Sequence, residues 1–181
     1  MFTIQEVKVK EYPEIFVHKM IKKGKYRRIG SGAYADVYAK SKADKQVIKV
    51  GEVKRNKGYL GYLRMLAKQK THNPFTPKIT EVVFYTMRGE DAYFVVKMER
   101  LTRLPDRLES VVDWFEEELD DRCYGSYALR VLGIQEKLPL NLKNLLKLLR
   151  KAEVASKGRF DMHYGNFMMR GKQIVCTDPL F

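Results

Sequence analysis

At 181 residues and 45% hydrophobic composition, the chain is long enough for one domain, or one domain split into two lobes, and too apolar for wholesale disorder. Its 35 Lys+Arg against 22 Asp+Glu leave a formal charge of +13, a field that favours nucleotides, nucleic acid or acidic protein surfaces and says nothing about fold. No run approaches the roughly 18 apolar residues of a membrane span, residues 1–10 lack the apolar core of a signal peptide, and Cys123 and Cys176 have no metal-ligand spacing. One disulfide is possible, but the pattern reads as a soluble, reducing, intracellular protein.

Charge is uneven along the chain. Residues 1–57 carry 15 basic and 6 acidic residues, a net +9, and residues 106–136 carry 3 and 9, a net −6. The first half reads as strands. Phe2–Lys8 and Asp36–Ala39 alternate, Gln46–Val50 is β-branched, and Glu81–Thr86 and Tyr93–Met98 flank a hairpin turn at Met87–Asp91. One helix, Tyr59–Gln69, interrupts them, and Asn73-Pro74 and Thr76-Pro77 end it. The second half reads as helices. Leu108–Leu119 is one, with the acid run Asp113–Asp121 as a solvated face. Leu140–Ala155 is another, with Leu142, Leu145, Leu146, Leu149 and Val154 as a core stripe and Lys143, Lys147, Arg150 and Lys151 turned away. Gly158 is a helix stop, and Phe167–Arg170 and Gln173–Thr177 form a hairpin through Gly171-Lys172.

Three separated elements carry chemistry. In Gly30-Ser31-Gly32-Ala33-Tyr34-Ala35-Asp36-Val37, glycines let a strand-turn-strand close over phosphates, where a Cβ would block the backbone, and Val37 is placed against a base. In Val47-Ile48-Lys49-Val50, 19 residues on, β-branched neighbours extend a lysine along a strand, from which it delivers a point charge to phosphates. The third is Phe160-Asp161-Met162-His163-Tyr164-Gly165-Asn166, followed by Ile174-Val175-Cys176-Thr177-Asp178-Pro179. Asp161 and Asn166 stand five apart and Asp178 twelve further. Phosphoryl transfer needs a carboxylate to orient and deprotonate a hydroxyl, which suits Asp161, and oxygen ligands for magnesium, which suits Asn166 and Asp178.

These residues resemble the protein kinase superfamily over about residues 25–181. Gly30–Val37 is similar to its glycine-rich loop, Lys49 to its strand lysine, Met98-Glu99-Arg100-Leu101 to its gatekeeper and hinge, Asp161 to Asn166 to its catalytic loop, and Asp178 to its metal-binding aspartate. More narrowly, Val47–Gly51, Phe160–Asn166 and Thr177-Asp178-Pro179 resemble the early serine/threonine kinases of T-seven-like bacteriophages. The resemblance implies an α+β, minimal bilobal kinase-like fold. It has an antiparallel-sheet N-lobe at residues 25–101, a truncated helical C-lobe without an activation segment at 102–181, and an extension at 1–24 packed on or preceding the N-lobe. It implies ATP and Mg2+ as cofactors, host proteins of the transcription, RNA-processing or translation machinery as substrates, autophosphorylation, and the cytoplasm of an infected bacterial host. Nucleic acid is a possible partner and a membrane is not. Nothing in the sequence corresponds to the host shut-off region of such kinases.

Four departures from the kinase pattern stand out. The helix Tyr59–Gln69 contains no acid, so Lys49 needs a partner other than a helix glutamate, Glu52 being one candidate, or holds phosphate unaided. Phe160 replaces the arginine before the catalytic aspartate, and the sequence ends three residues after Asp178; together these predict constitutive activity without an activation-loop phosphate. His163 stands two after Asp161, where kinases commonly place lysine; it either donates to the γ-phosphate or orients the loop. The helical platform for peptide substrates is missing, which leaves the shortened lobe or the basic N-terminal half to bind substrate. Two other readings stand beside this one: a small-molecule or atypical kinase of aminoglycoside or RIO type, and a non-enzymatic binder using the fold and charge to grip a host protein or nucleic acid.

Overall fold

The computed structural model describes residues 2–88, 92–119, 142–156 and 159–180. It is mixed α+β, as the sequence predicts. A six-stranded sheet runs in the order β1-β5-β6-β4-β3-β2, built from β1 (Thr3–Lys8), β2 (Arg27–Ser31), β3 (Ala35–Ala39), β4 (Gln46–Glu52), β5 (Ile79–Thr86) and β6 (Tyr93–Glu99). Every pairing is antiparallel except the edge pair, where β1 runs parallel to β5 from Thr3↔Glu81 to Lys8↔Thr86. The sheet of residues 25–101 is antiparallel throughout, as expected, and the parallel edge strand comes from the N-terminal extension. A parallel pair needs a long crossover, and here most of the sheet lies in sequence between the two strands.

Strand β4 carries a side chain for each of two cores. Val47, on one face, joins the main core with Phe94, Val96 and Met98 of β6. Ile48 and Val50, on the other, join Val95 and the helix α1 (Pro13–Lys23) through Val17 and Ile21. Period-two alternation therefore puts Lys49 on the main-core side, paired in register with Val96. Helix α1 was read over in the sequence. Its signals are Pro13 at the first helical position, Glu14 in the first turn, Val17 and Ile21 four apart, Lys22-Lys23 in the last turn and Gly24 after it. Burying Val17 and Ile21 stabilises the chain by roughly 1.5–3 kcal/mol each.

On the main-core face, α2 (Lys57–Ala67) lies across the sheet with Tyr59, Leu60, Tyr62, Leu63 and Leu66 buried. It starts two residues earlier than expected because the Asn56 carbonyl already accepts from Leu60 N at 2.9 Å. Beyond it lie α3 (Glu109–Leu119), after a 3₁₀ turn at Asp106–Leu108, and α4 (Leu142–Ser156). Gly61 permits the α2–α4 crossing, since a Cβ there would lie 2.7 Å from Ser156 Cα. A second sheet of order β7-β8-β9 joins Thr102–Arg103, Phe167–Arg170 and Gln173–Cys176. One continuous apolar core runs from the six-stranded sheet through α2 to Phe115, Leu145, Leu149, Phe167 and Ile174.

The α4 stripe differs from the expected one. Leu145, Leu148, Leu149 and Ala152 are buried, while Val154 is 80% exposed. Five residues beyond Leu149, Val154 has turned about 140° off the stripe, and Ala152, at three, stays on it. Asp113 is exposed, in line with a solvated acid face. Residues 120–121 of the acid run, Cys123, Gly158 and the tip of the 87–91 turn lie outside the described residues. Cys176 is buried and free. No helix among the described residues is long and apolar enough to cross a membrane.

Candidate active site

The glycine-rich segment forms the β2–β3 hairpin, with Gly30 opposite Val37 and Ser31 opposite Asp36. Ser31 Oγ donates to Asp36 Oδ1 at 2.7 Å and Gly32 N to Ala35 O at 2.9 Å, which closes the turn over Ala33 and Tyr34. Neither Gly30 nor Gly32 has a positive φ. A Cβ would meet nothing nearer than 3.8 Å at Gly30 and 3.4 Å at Gly32. The fold itself does not require these glycines, and the space beside them is open for a ligand's phosphates. The turn is fixed from below by two residues that the sequence reading missed. A Cβ at Gly51 would lie 2.7 Å from Tyr34 O. The buried Asn56 donates through Nδ2 to Tyr34 O at 3.0 Å and Glu52 O at 2.7 Å.

Val37 sits directly opposite Lys49 in the β3–β4 register. The Lys49 ammonium makes an ion pair with Asp178, 129 residues away in sequence, and lies over the Tyr59 ring, 3.8 Å from its centroid. Both charged side chains are largely withdrawn from solvent, 12% and 21% exposed. Lys49 therefore does not take Glu52, whose carboxylate is engaged by Arg55 Nε at 3.1 Å and the Tyr93 hydroxyl at 3.2 Å. Burial raises the Asp178 carboxyl above its ordinary value, Lys49 pulls it back, and the charge of Asp161 pushes it up again. Asp178 Oδ1 and the Tyr59 hydroxyl are both buried with no hydrogen-bond partner among the described residues. Burial, then the charge of Asp178, keeps the Tyr59 phenol well above its usual range, so it stays neutral. One turn along α2, the buried Tyr62 hydroxyl donates to Cys176 O at 2.9 Å.

The loop before β8 is tied to the segment after β9 by short-range bonds. Asp161 N donates to Pro179 O, and Thr177 N to Asn166 O, each at 2.8 Å. Thr177 Oγ1 donates to the same carbonyl at 2.9 Å. Phe160 and Leu180 form an isolated antiparallel bridge. Asn166 Nδ2 donates to Asp161 O at 2.9 Å, which commits the amide nitrogen to the loop and leaves the side-chain oxygen as the donor atom for a cation. His163 Nδ1 accepts from Gly165 N at 3.1 Å, capping the 3₁₀ turn Tyr164–Asn166, so the ring carries its proton on Nε2.

Lys49 is thus paired with Asp178, whose segment is bonded to the loop that carries Asp161 and Asn166. The hinge residues fall less uniformly. Met98 is buried opposite Val47, and Leu101 is half-buried. The Glu99 carboxylate turns to Arg170 of β8, whose guanidinium also reaches Pro74 O at 2.9 Å and Thr76 O at 2.8 Å, and it accepts from Lys78 N at 2.7 Å. Burial works against the Glu99 charge, but Arg170 and the Lys78 amide outweigh it and hold the carboxyl below its usual value. Its side chain clasps the two sheets together and is not free for a nucleotide. Arg170 was not singled out in the sequence, where it is one cation among 35.

Among the described residues, no group of three or more His, Cys, Asp or Glu could hold a metal by itself. One Asp and one Asn remain, the sparse set that suits magnesium when phosphates complete its coordination. The unpartnered Asp178 Oδ1 fits that use.

No protein-family model matches the chain, and no curated protein matches it significantly. Among solved structures it is similar to the ternary complex of streptomycin, ATP and APH(2")-IIa, at 17% identity over 94% of this chain and 72% of that one, with a TM-score of 0.33. The site rests on its own geometry.

Proposed function

We propose that this chain is a kinase-like phosphotransferase that moves the γ-phosphoryl group of ATP onto serine or threonine hydroxyls of host proteins, itself included, in the cytoplasm of an infected bacterium. The observation that carries the reading is the Lys49–Asp178 pair, which closes 129 residues of sequence beside a loop presenting Asp161 and Asn166.

In this reading the Gly30–Tyr34 turn covers the phosphates with backbone, Lys49 holds them by charge, and Val37, Met98 and Leu101 face the base. Asp161 orients the acceptor hydroxyl and takes its proton. Asn166 and Asp178 hold Mg2+, which supplies charge neutralisation at the phosphates when bound. His163, with Nδ1 committed to the Gly165 amide, keeps the loop in shape. Of Glu99, only the backbone serves the hinge role.

The test is transfer from labelled ATP with Mg2+, wild type beside Asp161→Ala, to host-lysate proteins and, in parallel, to aminoglycosides and sugars. Protein label that depends on Asp161 supports the reading. Label on the small molecules alone moves the chain to the small-molecule kinases. No label anywhere, with no ATP binding, ends the phosphotransferase reading.

A further inference from the structure

The element facing Lys49 is α2, whose eleven residues Lys57–Ala67 contain no carboxylate. The groups it presents to the site are the face of Tyr59 and the hydroxyl of Tyr62. Tyr59 is 1% exposed, stacks at a tilt on Phe94 with centroids 5.7 Å apart, and has no partner for its hydroxyl among the described residues. A buried phenol that makes no hydrogen bond is present for its ring. That ring lies 3.8 Å from an ammonium that is itself mostly withdrawn from water, the setting in which cation–π attraction is strongest.

We propose that Tyr59 is the positioning residue for Lys49, its ring doing the anchoring that a helix carboxylate would otherwise do. The argument rests on the proposed function, because it concerns what happens when Asp178 is called away. Lys49 is shared between Asp178 and the ring. A cation taken up by Asp178 competes for the carboxylate, and Lys49 must then face phosphate with one anchor fewer. A carboxylate partner on α2 would compete with phosphate for the ammonium, whereas a neutral ring attracts the cation without setting a second anion beside the phosphates. The ring also spares binding the cost of immobilising a flexible side chain.

The experiment has a nucleotide-free arm and a nucleotide arm. In the first, unfolding free energies are measured for Tyr59→Leu, Lys49→Met and the double variant. Losses short of additive support the ring–ammonium contact; additive losses overturn it. Because Tyr59→Leu removes core volume, the second arm keeps shape constant by comparing Tyr59→Phe with Tyr59→pentafluorophenylalanine, whose ring quadrupole is reversed. Tyr59→Phe should match wild type in Mg-ATP Kd and in unfolding. The fluorinated ring should weaken Mg-ATP binding by roughly three- to tenfold, with the effect absent in the Lys49→Met background. Equal Kd for the two rings, or a Tyr59→Phe loss as large as that of the fluorinated ring, overturns the proposal. A chain that binds no ATP at all fails the functional reading instead, and the first arm still decides whether the ring holds the lysine.

Discussion

The two sides of the candidate site are fixed by different physics. Lys49 stands on a central strand clamped between two apolar layers, α1 with Ile48 and Val50 on one face and α2 with Val47 on the other. Asp161, Asn166 and Asp178 stand on segments of irregular backbone secured by a few hydrogen bonds to the Asp161, Asn166 and Pro179 carbonyls. Area burial is non-directional and tolerates small shifts, whereas hydrogen bonds fix orientation within narrow angles. In the proposed function the lysine needs only to deliver charge, whereas the loop aims a base and holds a cation, which directional bonds suit. Substitutions on the lysine side should therefore appear mainly as lost stability, and those on the loop side mainly as lost rate.

The sharpest test is Asp161→Ala. Loss of a positioned base should lower the transfer step by roughly 10²–10⁴-fold, with ATP affinity and melting temperature nearly unchanged. Phosphorylation at the wild-type rate would remove Asp161 from the chemistry. On the other side, Ile21→Ala empties part of the outer core and should destabilise the fold by about 2–5 kcal/mol in denaturant titration. Rate per folded molecule should stay close to wild type. A large rate loss in that variant, with stability intact, would break the contrast.

Between the two lies the Glu99–Arg170 clasp. Arg170→Ala strips a largely buried carboxylate of its guanidinium, leaving it the Lys78 amide, and takes a donor from the Pro74 and Thr76 carbonyls; it should cost about 2 kcal/mol. The pH dependence has a fixed sign. Glu99 titrates lower in the folded chain than in the unfolded one, so its contribution is present above the ordinary value of 4.5 and is lost as pH falls through the lower folded value. The stability gap between wild type and Glu99→Gln should be full at neutral pH and shrink on acidification below about 4.5. A gap that grows in acid would mean that Arg170 does not hold the charged form.

The contrast also explains what could be read in advance. Lys49, Asp161, Asn166 and Asp178 stand out because each sits in a local pattern, a β-branched strand or a loop of fixed spacing, and the structure pairs Lys49 with Asp178 and bonds the Asp178 segment to the loop of the other two. The ring beside Lys49 was not legible, because it depends on which helix residue faces the strand across the core, and an aromatic residue there reads as packing. Glu99 was placed with the nucleotide because hinge position follows from sequence order. Its side chain instead answers to Arg170, 71 residues on, which no local pattern predicts. Helix α1 had adequate signals in Pro13 and Gly24, but the alternation of Phe2–Lys8 drew the reading of the N-terminus toward strand.

The smallest expected effect tests a bond by which α2 reaches across to the loop side. The Tyr62 hydroxyl, fully buried, donates to Cys176 O at 2.9 Å, two residues before Asp178. Tyr62→Phe keeps the ring in the core and removes only that donor, so the loss should be about 1 kcal/mol in denaturant titration. If directional bonds aim the loop, a second signature follows: Asp178 is less well placed, and more Mg2+ is needed for half-maximal ATP binding although every proposed ligand is present. A stability loss with an unchanged Mg2+ midpoint would make Tyr62 a core residue of the lysine side. A shift in the Mg2+ midpoint larger than the stability loss predicts would show that α2 aims Asp178 as well as packing the sheet.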